Sequence, residues 1–103
     1  MVVTTNIDDK VQEFIQLASQ GLKLEAVYLF GSQARGKAHE WSDIDLAIVS
    51  SDFCGDRFDD SKRLIPYILQ VDSAIEVHPF RPDEFSADNP FVQEILDTGI
   101  RVY

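Results

Sequence analysis

Val27-Tyr28-Leu29-Phe30-Gly31-Ser32 and, ten residues further on, Asp43-Ile44-Asp45-Leu46-Ala47-Ile48-Val49 are two apolar runs with polar residues at their adjoining ends. The first run is strand-like and breaks at Gly31-Ser32. The second opens directly out of Ser42-Asp43-Ile44-Asp45. Side chains alternate along a strand, so Asp43 and Asp45 share a face and Ile44 takes the other. Two like charges side by side at the start of a buried strand repel unless something positive sits between them. A divalent metal is the usual remedy, because hard cations take carboxylate oxygens together with substrate phosphates.

Around this centre the chain is small. Its 103 residues suit one domain spanning 1–103, and a hydrophobic fraction of 45% suits a packed core rather than disorder. A net charge of −9 argues against direct nucleic-acid binding, which needs a basic surface to displace counterions. It leaves a nucleotide substrate open, since a metal brings its own positive charge, and it suits a basic partner or simple solubility. The single cysteine, Cys54, allows no intrachain disulfide, which fits a reducing cytoplasm. No signal peptide and no membrane span are visible.

The periodicity predicts mixed helices and strands. Residues 1–6 read as a loose end. Asn6 or Asp8 then caps a helix with Ile7, Val11, Phe14, Ile15 and Ala18 on one face, stopping near Gly21. Strands are expected at 24–30 and 44–49, the second buried on both faces. The turn between them runs through Arg35 to Gly36, with a loop over 37–41. A loop over 50–60 leads to a helix at 61–69, with Leu64, Ile65 and Ile68 inward and Pro66 as a kink. A third strand at 74–77 carries one buried-looking acid, Glu76. Pro90 starts a helix that extends from Asn89 to about Thr98, with Phe91, Ile95 and Leu96 as its stripe and Gly99 as its stop. Residues 100–103 read as a last edge strand. The fold class is α/β (α+β), a small mixed sheet of about four strands flanked by helices.

Each polar position has a physical job. Gly31 lets the backbone approach a phosphate closely. Ser32 and the following amides, at a strand-to-helix turn, donate to phosphate oxygens. Asp43 and Asp45 hold one or two metals. Glu76 is the best candidate for a third carboxylate, able to bind a metal and take a proton from an attacking hydroxyl. Gly31-Ser32, Ala34-Arg35-Gly36 and Ser42-Asp43-Ile44-Asp45-Leu46 together resemble the signature of the DNA polymerase beta-like nucleotidyltransferase superfamily, and in particular its minimal nucleotidyltransferase domains. The resemblance covers most of the chain. It implies the polymerase beta-like palm fold, Ser32 for triphosphate binding, Asp43 and Asp45 for metals, Glu76 as the third acid and Arg35 as a holder of phosphates or loop. Glu76 departs from the aspartate more common there.

The resemblance also implies a function. Such domains often pair with a helical HEPN toxin as its type VII-like antitoxin, moving AMP from ATP to a hydroxyl, often a tyrosine, with Mg2+ or Mn2+. Two alternatives stay open: an antitoxin that neutralises by binding alone, and a small-molecule nucleotidyltransferase. Other motif readings fit less well. Gly31 to Lys37 spells Gly-x4-Gly-Lys, but Ala38 stands where a P-loop needs Ser or Thr, and no long helix follows before Asp43. A calcium loop needs further acids where Leu46-Ala47-Ile48 stand. Asp-x-Asp also occurs in sugar transferases, and a carboxylate pair can simply cap a turn. His39 and His78 read as surface or packed histidines, since neither has a partner at metal spacing. Trp41 reads as core or interface.

Overall fold

A computed structural model describes residues 3–34, 36 and 43–103, with side chains from Ile7 onward. Arg35, His39, Trp41 and Ser42, and with them the expected 37–41 loop, lie outside the described residues. The elements are α1 (Val3–Gly21), β1 (Leu24–Phe30), β2 (Ile44–Ser50), α2 (Arg57–Val71), β3 (Ile75–Phe80), α3 (Pro90–Thr98) and β4 (Ile100–Arg101). The sheet order is β3-β2-β1-β4. β1 pairs antiparallel with β2 and with β4, while β2 and β3 run parallel through the α2 crossover.

One face of the sheet carries the core. Val27, Leu29, Ile44, Leu46, Ile48 and Ile75 pack there against Val11, Phe14, Ile15 and Ala18 of α1 and Leu64 of α2. α1 and α2 form one helical layer, tied by Lys10 Nζ in the middle of α1 donating to the carboxylate of Asp72 at the C-terminal end of α2. The other face carries Tyr28, Phe30, Asp45, Ala47, Glu76, His78 and Phe80, because these positions alternate with the core set in the paired register. Phe91 of α3 and Phe85 of the 81–89 loop pack on this second face, against Phe30 and Tyr28 respectively.

Several boundaries differ from the sequence expectation, each for a local reason. α1 begins at Val3 rather than at Asn6 or Asp8, as nothing in 3–6 breaks a helix. α2 begins at Arg57, four residues before the expected start. The Asp56 side chain accepts from Asp59 N–H at 3.0 Å and caps it. Asp60, expected in a loop, is buried in this first turn and accepts from the backbone N–H groups of Cys54 and Gly55 at 2.9 and 3.0 Å. Pro66 lies inside α2, which continues to Val71. Ile65 is exposed instead of facing inward, and α3 buries Val92 and Ile95 while leaving Phe91 and Leu96 more than a third exposed. β3 runs on through Pro79 to Phe80. An edge strand tolerates a proline there because one side of it needs no ladder donor. Glu76 is exposed, not buried. The last strand is only two residues long.

Candidate active site

The register across three strands builds the site. Phe30 of β1 stands opposite Asp45 of β2, and Asp45 stands beside Glu76 of β3. Asp45 is partly buried and is the second residue of β2. Gly31 follows Phe30 with φ +76, a left-handed conformation that L side chains rarely adopt. A Cβ on Gly31 would lie 2.5 Å from Asp45 Oδ2. The phosphate-type turn and the carboxylate strand therefore meet at van der Waals contact. Only a residue without a side chain fits between them. Ser32, Gln33 and Ala34 continue the turn, partly buried.

Asp45, Glu76 and His78 each offer a ligand atom, and these atoms all lie within 4.8 Å of one another. The two carboxylates of this group are hard oxygen donors of the kind a divalent ion takes, and the imidazole stands beside them on the same face of the sheet. Asp43 sits just before β2 and is exposed. It shares the Asp45 face by parity but does not belong to that close group of three. Among the predicted residues, then, the sheet gathers Gly31, Asp45 and Glu76, sets Ser32 next to Gly31 and Asp43 at the rim, and adds His78.

His78 is the residue that sequence reasoning missed. Its Nε2 lies 3.5 Å from Asp45 Oδ1, and its Nδ1 lies 3.0 Å from Arg57 Nη2. The signal was available once β3 was known to extend past Val77. A residue two beyond Glu76 on the same strand must emerge on the same face. Phe30 and Phe91 pack on the imidazole, with ring centroids 5.0 and 5.8 Å away, and on each other at 5.6 Å. A cleft of about 440 Å³ opens beside it, lined by Arg57, His78, Phe80, Glu84, Asn89 and Phe91 among others.

A family model described as "Polymerase beta, Nucleotidyltransferase" matches residues 12–103, nearly the whole chain. The chain belongs to this family. Its enzyme class is accordingly nucleotidyl transfer, in agreement with the Gly31-Ser32 and Asp43-x-Asp45 signature. A candidate protein adenylyltransferase of Methanocaldococcus jannaschii is 33% identical over 105 residues, covering 93% of this chain and 70% of its own. Among solved structures, a nucleotidyltransferase from Sulfolobus solfataricus superposes with a TM-score of 0.75 at 19% identity, over 97% of this chain and 82% of its own. A mutant of the toxin–antitoxin pair MntA–HpeT superposes with a TM-score of 0.64 at 25% identity, over 89% of this chain and 70% of its own. A toxin–antitoxin structure with AMP-PNP gives 0.62 at 22% identity, over 93% and 72%. The expected fold is thus found. No helix among the described residues is long and apolar enough to cross a membrane.

Proposed function

We propose that this chain moves AMP from ATP onto a hydroxyl, a tyrosine in the favoured case, of a partner HEPN toxin, and so acts as that toxin's antitoxin. The observation that carries the reading is the contact of Gly31 with Asp45, which puts a phosphate-approaching turn against a metal-type carboxylate. The adenylyltransferase relative and the toxin–antitoxin neighbours support the acceptor class.

In this mechanism Gly31 admits the triphosphate to the backbone, and Ser32 with the following amides donates hydrogen bonds to its oxygens. Asp43, Asp45 and Glu76 hold Mg2+ or Mn2+, one or two ions. When bound, the metal supplies positive charge for the triphosphate and for the departing pyrophosphate. The acceptor oxygen attacks the α-phosphorus, the bond from that phosphorus to the bridging oxygen breaks, and pyrophosphate leaves with the electron pair. The exposed Glu76 carboxylate takes the hydroxyl proton.

The test is label transfer. The purified chain is mixed with α-labelled ATP, Mg2+ or Mn2+, and the product of the neighbouring gene, beside Asp45→Asn and Asp43→Asn variants. Label appears on the partner and falls at least a hundredfold in Asp45→Asn, with the fold retained. Absence of label with any of the four nucleotides, while a stable complex forms, overturns the transfer reading in favour of neutralisation by contact.

A further inference from the structure

We propose that His78 is the positioning residue for the Asp45 carboxylate and that Arg57 fixes the tautomer in which it does so. This rests on the reading of Asp45 as a metal-holding carboxylate. Arg57, the first residue of α2, places Nη2 3.0 Å from His78 Nδ1. A guanidinium has donors only, so Nδ1 accepts and the ring proton sits on Nε2. That Nε2 is buried and makes no hydrogen bond among the described residues. It faces Asp45 Oδ1 at 3.5 Å.

The gap is about half an ångström longer than an ordinary N–H···O bond. The terminal torsion of an aspartate is soft, so a small turn of the carboxylate closes it. A buried donor left unpaired is unfavourable, which favours that turn. The carboxylate is bracketed from the other side too, since Oδ2 lies against Gly31. Phe30 and Phe91 pack against the imidazole and against each other, a three-ring cluster that limits its movement. A protonated nitrogen has no lone pair to give a metal. His78 therefore acts through Asp45, and the ligand atoms belong to the carboxylates. A hydrogen bond to a ligating carboxylate orients it and is a regular part of metal-site design.

The test uses the full chain labelled with 15N at histidine. Spectra that correlate the ring nitrogens with the ring carbon-bound protons show the Nε2–H form in the wild type. In Arg57→Leu that preference is lost. Mn2+ affinity, followed by electron paramagnetic resonance, drops about ten- to a hundredfold in His78→Leu. His78→Gln offers an amide N–H at similar reach and recovers most of it, which a merely space-filling role would not predict. The proposal falls if the wild-type Nε2 carries no proton, if that proton leaves when Zn2+ or Mg2+ is added, or if His78→Leu binds Mn2+ as the wild type does. Asp45→Asn separates the levels. If it weakens Mn2+ binding while His78→Leu does not, only the role of His78 is overturned; if neither does, the metal reading of Asp45 fails with it. Should His78→Leu lose its fold, the wild-type tautomer and the Gln variant still decide.

Discussion

Gly31 meets two separate demands at one position. Its φ of +76 excludes most side chains, and the Asp45 carboxylate occupies the space a Cβ would need. Gly31→Ala must either move the turn or push Asp45 aside, at a cost of about 1–3 kcal/mol for the backbone alone. The expected outcome is a lowered unfolding midpoint together with a loss of Mn2+ affinity. Titration with the metal on the folded variant checks it. A variant that loses stability but binds metal normally would uncouple the turn from the carboxylate. At this scale the sequence is most legible: Gly31, Asp45 and Glu76, which the fold sets together, are candidates by residue type and spacing alone. His78 is not, because its role depends on where β3 ends.

Between elements, the Lys10–Asp72 pair ties α1 to the end of α2, where Asp72 is the C-cap. The hydrogen bond from Lys10, and after it that from Ala74 N–H, holds the Asp72 carboxyl below its ordinary value of 3.8. A lowered folded-state value means the charged form is the one the fold favours. Its stabilisation is therefore present above 3.8 and disappears as pH falls through the lower folded value. Lys10 is more than a third exposed, so solvent screens the pair, and Asp72→Asn costs only about 0.5–1 kcal/mol at neutral pH. Urea unfolding of both forms checks this: a gap at neutral pH that closes in acid is expected, and a gap unchanged in acid assigns the loss to something other than this carboxylate. The boundary of α2 teaches a related lesson. Asp56 and Asp59 look like loop residues by composition, yet their spacing supplies a cap, and Asp60 then ties 54–55 to the helix.

For the whole molecule, one face of the sheet carries stability and the other carries the site. Leu64 of α2 is fully buried in the cluster on the helical face, whereas Leu69 on the same helix is 72% exposed. Leu64→Ala should cost about 2–5 kcal/mol. Against a total of about 5–15 kcal/mol for a domain, that is a large share. A calorimetric Tm about 10–20 °C lower is expected, whereas Leu69→Ala should stay within about 0.5 kcal/mol of the parent. Equal effects at the two positions would contradict the layer arrangement.

The sequence by itself determined the strand runs, the two-part polar signature between them and the α/β class, because alternation, turn residues and charge crowding are local properties of the chain. The tertiary structure decided which side chains meet. Parallel pairing of β2 with β3 sets Glu76 beside Asp45, and extension of β3 through Pro79, permitted by its place at the sheet edge, brings His78 to the same face. The α2 crossover then places Arg57 on that imidazole. Register and edge position are relations between distant segments, and no window of sequence contains both partners.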